Sequence, residues 1–386
     1  MGKSTSFDVI IIGVGSMGSA TCYYLSKRGY KVLGLEQFDI SHEFGSHAGQ
    51  SRIIRKAYFE HPDYVPLLEK AYKNWKEFEE KIGEQLYFKT GLLYAGRSNN
   101  EMIKGVKQSA ALYNIELEKL NVPAATNRFS QFKLPENFDV LFEPEAGFIT
   151  PEKAIRLYAS QARKNNATIF SNEKVIEWKK DGGNIIVTTD KSAYQCNKLI
   201  ITAGAWAGKV IPGFVDKIKV TRQFVAWIKT RDQKQFELNN FPCWMVADDE
   251  KHGCYYGFPL LDTKKFGEPT GLKLAHHYPN NITDPDKVNR ETTEDDIENL
   301  KYCLNKYLPG VFESVLSTKI CLYANSPDEN FIIDKLPGYE ENVSIACGFS
   351  GHGFKFASVV GEILADLAID GKTSLPIGFL NAKRFD

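Results

Sequence analysis

Gly13-Val14-Gly15-Ser16-Met17-Gly18 follows the apolar run Val9-Ile10-Ile11-Ile12 and precedes a helix-like stretch and a second apolar run, Val32-Leu33-Gly34-Leu35-Glu36. Each part has a physical task. A buried strand ends at Gly13, Gly15 lets backbone approach a pyrophosphate without a Cβ in the way, and Gly18 lets the next helix pack closely on the strand. The N-terminus of the following helix faces the phosphates, where unpaired N–H groups and the helix dipole favour an anion, and Ser16 and Met17 join the glycines as candidate cofactor-binding residues. Glu36, 18 residues past Gly18, is placed to accept both hydroxyls of an unphosphorylated ribose. The chemistry is dinucleotide binding, with FAD or NAD favoured over NADP.

Four cations stand apart from the ordinary charged surface. Arg52 and Arg55 are three residues apart, so they face opposite ways in an extended chain and the same way in a helix. A planar guanidinium suits a carboxylate, which it binds through two parallel hydrogen bonds. Lys273 lies between apolar neighbours on a strand, and His277, four residues on, shares its face if the segment stays extended. Lys355 sits among the glycines and phenylalanines of Gly348-Phe349-Ser350-Gly351-His352-Gly353-Phe354-Lys355-Phe356, where an unpaired ammonium is costly. That stretch follows the strand Asn342–Cys347, so Gly351 and Gly353 form a second strand, glycine loop, helix unit able to hold a cofactor by backbone amides. His276 and His277 make a poor metal pair, since strand neighbours point apart and no other ligand cluster completes a site, so no metal is expected.

The elements that must position these groups follow from periodicity. Helices are expected at about Tyr64–Ile82, Glu101–Tyr113, Pro151–Asn165, Thr293–Tyr307 and Ala357–Ile369. Strands are expected at Phe88–Tyr94, Val140–Phe142, Ala167–Phe170, Val175–Trp178, Asn184–Thr188 and Lys198–Ala203. From Val220 to about Lys319 the pattern becomes period-2 and aromatic (Phe224–Ile228, Trp244–Val246, Cys254–Phe258, Leu272–Ala275), which reads as an antiparallel sheet inserted in the first domain. The fold class is therefore α/β, a Rossmann-type nucleotide domain with an inserted antiparallel-sheet α+β catalytic domain. The nucleotide domain is assigned to 1–90, 145–220 and 320–386, and the catalytic domain to 91–144 and 221–319.

At 386 residues, two domains are expected. The 48 basic and 48 acidic residues balance, which leaves no electrostatic footprint for nucleic acid or an anionic membrane. No apolar stretch approaches the length of a membrane span. The seven cysteines are odd in number and widely spaced, which argues against a disulfide framework and for a reducing, cytoplasmic setting.

Several longer motifs carry a resemblance over nearly the whole chain. Gly45-Ser46-His47 with Arg52-Ile53-Ile54-Arg55, Tyr255-Tyr256-Gly257-Phe258-Pro259, Gly271-Leu272-Lys273-Leu274, Cys321, Ser326-Pro327-Asp328-Glu329-Asn330-Phe331-Ile332-Ile333-Asp334 and Gly348 to Phe356 resemble the monomeric sarcosine oxidase and N-methyltryptophan oxidase family. The resemblance implies FAD, attached as a cysteine thioether through Cys321, and oxidation of secondary amino acids by O2. It implies Ser46 and Arg52 at the flavin, and Arg55 with Lys355 on the substrate carboxylate. Glu60 would orient the Arg55 guanidinium, and Lys273 would assist the reaction with oxygen by stabilising an anion. Tyr256, Tyr323 and His277 would line the substrate cavity, with Met245 at another pocket position.

One departure is clear. Bacterial sarcosine oxidases commonly have two consecutive histidines followed by Gly-Asp-Thr-Arg, and this chain has His47-Ala48-Gly49-Gln50-Ser51-Arg52. The implied substrate is an N-methyl amino acid, sarcosine first, with hydrogen peroxide as a product. N-methyltryptophan, a cyclic imino acid such as pipecolate, and a fructosyl amino acid are the alternatives within the class. Outside it stand an NAD-dependent dehydrogenase and a flavoprotein that holds FAD for structure or nucleic-acid modification. Small molecules are the expected partners, and a monomer or weak homo-oligomer the expected state.

Overall fold

A strand buried on both faces needs an unbroken apolar run, and Val9–Ile12 supplies one. In the computed structural model, which describes residues 5–248, 250–277 and 281–385, Thr5–Ile12 lies inside an eight-stranded sheet. Val32–Leu35 and Ala193–Ile201 flank it in parallel, Thr168–Phe170 continues one side, and Val343–Cys347 the other. Chain segments far apart in sequence thus build one nucleotide-type sheet. The helices Ser16–Lys27, Pro151–Lys164 and Ala357–Ile369 pack together. Gly361 makes one crossing close, since a Cβ there would lie 2.6 Å from the Ala20 Cβ.

The second sheet has nine strands, running Asn281–Ile282, Lys219–Thr230, Leu272–His277, Cys254–Gly257, Cys243–Ala247, Leu92–Arg97, Phe138–Glu143 and Glu118–Leu120, with Phe312–Asn325 also paired to Lys219–Thr230. Its apolar face is covered by the helix Glu294–Tyr307, which buries Leu300, Leu304 and Tyr307 and opens with a Thr293–Asp296 capping box. The expected α/β fold with an inserted second sheet is what the chain adopts.

Three details differ from expectation. The second sheet is mixed, because Cys243–Ala247 runs parallel to Leu92–Arg97. These strands belong to separate excursions from the first sheet, so no tight hairpin forces them antiparallel. The expected strand Phe88–Tyr94 is two, Tyr87–Lys89 and Leu92–Arg97, in different sheets. The chain breaks at Gly91, with φ +70°, where a Cβ would strike the Phe142 ring at 2.1 Å. The boundary placed at residue 320 falls inside Phe312–Asn325, which pairs with Lys219–Thr230 along its length. Cys321 and Tyr323 are therefore delivered by the second sheet.

Arg52–Ile54, Gly147–Ile149 and Tyr87–Lys89 form a small third sheet. That settles the local geometry of the two arginines: the chain is extended at Arg52 and leaves the strand before Arg55.

Candidate active site

One elongated cavity of ≈ 670 Å³ runs from the opening glycine motif to Lys355. At the first end Gly13 adopts φ +89°, and a Cβ on it would meet the Thr202 carbonyl oxygen at 2.6 Å. A Cβ on Gly18 would lie 1.9 Å from the Gly13 oxygen, so the absence of a side chain permits the helix to seat against the turn. At Gly15 a Cβ would meet no protein atom within 4 Å. Gly15 is also the N-cap of Ser16–Lys27 and supplies no side-chain cap, which leaves first-turn N–H groups available to an anion. Ser16 and Met17 border the same space.

Glu36 closes this end from the tip of its strand. Its carboxylate accepts from the Val14 N–H at 2.9 Å and the Phe38 N–H at 3.1 Å. Burial raises its pKa to about 7 against the pull of those donors.

The middle of the cavity is bordered by the loop from Gly45 to Arg52. The Arg52 guanidinium folds back on it, donating to the carbonyls of Ser46 at 3.0 Å, Ala48 at 2.5 Å and Ser51 at 2.9 Å. Cys321 Sγ donates to the Ala48 carbonyl at 3.1 Å and lies 3.7 Å from an Arg52 Nη. The Ala48 carbonyl thus anchors both groups. The loop contains Gly49 at φ +121° and Gln50 at φ +69°, a strained turn pinned from both sides. Glu152 Oε1 accepts the N–H of Gly49 at 2.6 Å and of Gln50 at 3.0 Å. Lys273 Nζ donates to the carbonyls of Gly49 and Ser51, each at 2.6 Å, and to Ser51 Oγ at 3.1 Å. Burial and the neighbouring Arg52 charge push the Lys273 pKa well down. Trp227 Nε1 donates to the Gln50 side chain at 3.1 Å. His47 is buried on the cavity wall, and its Nε2 has no hydrogen-bond partner among the described residues.

At the far end Arg55 is 2 % exposed and binds both Glu60 oxygens, at 2.6 and 2.7 Å. This pair holds the Glu60 carboxyl at about 2 against the desolvation that would raise it. Arg55 lies over the Tyr58 and Phe59 rings, with its Cζ 4.2 and 4.3 Å from their centroids. It also donates to the Ala57 carbonyl at 3.2 Å. The Ala57 peptide is held in turn by buried Glu143, which accepts from the N–H groups of Lys56 and Ala57 and from the Tyr94 hydroxyl at 2.8 Å. Lys355 Nζ donates to the His352 carbonyl at 2.7 Å, and burial and the Arg55 charge lower its pKa to about 7. His277 Nδ1 is 3.1 Å from the Tyr323 hydroxyl, which is also hydrogen-bonded to Tyr256. A Cβ on Gly351 would lie 2.3 Å from the Tyr323 ring, so that glycine gives the tyrosine its place, while Gly353 is packed against Phe349.

The structure brings the residues singled out from the sequence to this one cavity, with two exceptions. Gly18 packs the helix behind the turn, and Lys273 lies under the loop with its protons directed at loop oxygens. His276 turns the other way from His277, stacking on Tyr255 at 4.3 Å, as adjacent strand residues must. Sequence reasoning missed Glu152, Glu143, Gln50, Tyr58 and His352. Only Glu152 carried a signal, an acid in the first turn of a helix, and that signal pointed to the helix dipole rather than to a loop.

Residues 8–367 match the family described as FAD dependent oxidoreductase. The chain is 37% identical to a monomeric sarcosine oxidase of Bacillus sp. (strain NS-129), over 99% of this chain and 97% of that one. It is 35% identical to an N-methyl-L-tryptophan oxidase of Salmonella dublin, over 95% and 96%. Its fold superposes on NikD, an unusual amino acid oxidase, with a TM-score of 0.85, 22% identity and 98% of each chain covered. The chain belongs to the FAD-dependent oxidoreductase family and is built as a flavoprotein amine oxidase.

Proposed function

We propose that this protein oxidises N-methyl amino acids, sarcosine first, with O2 as the acceptor. The observation that carries this reading is one cavity with a dinucleotide cradle at one end and two buried basic side chains, Arg55 and Lys355, at the other. A small amino acid held by its carboxylate there would lie in the same cavity as the cofactor.

The residues present fit FAD. Gly15 leaves open space where a pyrophosphate would approach, Glu36 at the tip of its strand would receive the ribose hydroxyls, and the His47 Nε2, unpartnered among the described residues, is a polar atom that a bound group would satisfy. Ser46, Arg52, Gly351 and Gly353 would border its ring system, and Cys321 would hold it covalently. When bound, FAD supplies hydride acceptance from the N-methyl carbon and passes the electrons to O2, giving hydrogen peroxide.

The chain's own groups bind and orient. Arg55, aligned by Glu60, and Lys355 would clamp the carboxylate. Tyr256, Tyr323 and His277 would shape the space around the amine, and the resulting imine would hydrolyse to the primary amine and formaldehyde. Lys273 would present positive charge from beneath the Gly49–Ser51 turn toward reduced oxygen. Seven buried, unpaired cysteines fit a cytoplasmic enzyme, and the reading requires no more than a monomer.

The test is an absorption spectrum of the purified protein, acid precipitation, and a peroxide assay on sarcosine, N-methyltryptophan, pipecolate and a fructosyl amino acid. Yellow colour that stays in the pellet, with fastest peroxide production from sarcosine, is the expected result. A flavin-free protein that binds and reduces NAD would overturn the reading.

A further inference from the structure

The far end of the cavity is a cluster of buried titratable groups whose charges nearly cancel. Arg55 and Glu60 form a matched pair, since Glu60 gives both oxygens to the guanidinium. His277 on the strand Leu272–His277 is pushed down to about 4, and His352 to about 3, so both rings are neutral at physiological pH. Both His352 nitrogens are engaged, one with the Tyr58 hydroxyl at 2.5 Å and one with the Glu329 carbonyl at 3.1 Å. The Tyr58 phenol keeps its proton, its pKa driven well above the usual value by burial.

Lys355 is the member without a counter-charge. Its Nζ has one close acceptor, the His352 carbonyl, and the Tyr58 oxygen stands farther off at 3.5 Å. The nearest carboxylate is committed to Arg55. Its ordinary proton is therefore weakly held, at about 7.

An amino-acid substrate arrives as a zwitterion, with one carboxylate and one ammonium. Hydride departure from the carbon next to nitrogen needs the nitrogen lone pair, which the ammonium proton occupies. We infer that Lys355 accepts that proton as the substrate docks. The ammonium N–H bond breaks and its electron pair stays on nitrogen, while the proton bonds to the lone pair of the Lys355 amine. The substrate is left as a neutral amine, and the new lysine ammonium pairs with its carboxylate. The cluster is balanced before and after, so no uncompensated charge is buried at either stage. This inference rests on the amino-acid oxidase reading and adds to it the destination of the proton.

Two ligands separate the possibilities for the holoprotein. Methoxyacetate has an ether oxygen where sarcosine has nitrogen and carries no transferable proton, so Lys355 must then take its proton from water. Its Kd should be flat below about pH 6.5 and rise about tenfold per pH unit above about pH 7.5, with nearly one proton taken up per site at about pH 8. Sarcosine brings its own proton, so its Kd, measured without oxygen from the flavin absorbance change, should vary less than about twofold between about pH 7 and 8.5. Lys355→Met should remove the methoxyacetate slope and make sarcosine binding improve about tenfold per pH unit, because only the free neutral amine then binds productively.

A methoxyacetate Kd independent of pH in the wild-type protein, without proton uptake, overturns the inference, and needs no variant to fold. A slope that survives Lys355→Met but disappears in His277→Asn overturns it in favour of the histidine. Failure of both ligands to bind at any pH would remove the amino-acid oxidase reading itself, and this inference with it.

Discussion

The Lys273 ammonium and the Gly49 carbonyl are 224 residues apart in the chain and joined by a 2.6 Å hydrogen bond. With Ser51 at the same distance, the lysine fastens the second sheet to the strained turn that carries Arg52. The lysine proposed to act near the cofactor is thus also a structural tie. Lys273→Met should slow reoxidation by oxygen far more than reduction by substrate. It should also destabilise the protein by about 0.5–1.5 kcal/mol for each bond lost, because the Gly49 and Ser51 carbonyls each lose one of two donors and keep the Ser51 N–H and the Arg52 guanidinium. Stopped-flow half-reactions and thermal melts measure the two effects separately. Reoxidation in air at the wild-type rate would remove the oxygen role and leave only the tie.

Arg55→Lys keeps the charge and loses the fork. The lysine cannot hold both Glu60 oxygens and a substrate carboxylate with parallel bonds. KM for sarcosine should rise about ten- to a hundredfold while kcat changes by less than about fivefold, as expected when one charge-assisted hydrogen bond to the ground state is lost. A kcat that falls as far as kcat/KM would mean that Arg55 acts on the reacting carbon rather than on the carboxylate.

What could be read from the sequence was what is local. Gly13, Gly15, Gly18 and Glu36 are recognisable because one strand–turn–helix–strand unit fixes their spacing. Glu152 and Glu143 were not legible, because each carboxylate serves backbone N–H groups about a hundred residues away, and a backbone donor leaves no mark in the sequence. Phe312–Asn325 escaped for a different reason. Its first half is half-buried or exposed and carries Glu313, Ser314, Ser317, Thr318 and Lys319, so the apolar run at 320–324 gives no sign that its strand begins at Phe312 and belongs to the second sheet. The arginines show the limit of spacing: the sequence left extended and helical geometries open, and only pairing with Gly147–Ile149 decided between them.

Cys321→Ala tests the covalent attachment without disturbing the rest of the wall. The side chain is buried, and its one close protein partner is the Ala48 carbonyl, which Arg52 also satisfies. The variant should fold, bind FAD, and release all of it to the supernatant on acid precipitation, where the wild-type protein should keep its colour in the pellet. Colour retained in the variant pellet would exclude Cys321 as the point of attachment.

The depressed Lys355 pKa also has a consequence for folding. The unfolded chain holds this proton up to its ordinary value of 10.5, and the folded, substrate-free protein releases it near 7. Between those values the unfolded state binds more protons, so this group makes stability rise with pH, by up to about 1.4 kcal/mol per unit. Below both values the lysine is charged in either state, and burying that charge weakens the fold most. Lys355→Met carries no proton there. Lys273, also depressed by burial, contributes equally to both proteins and cancels in their difference. Urea unfolding at about pH 7, 8 and 9 should therefore show the wild-type protein gaining on the variant at each step, and parallel curves would mean that Lys355 keeps its proton when folded.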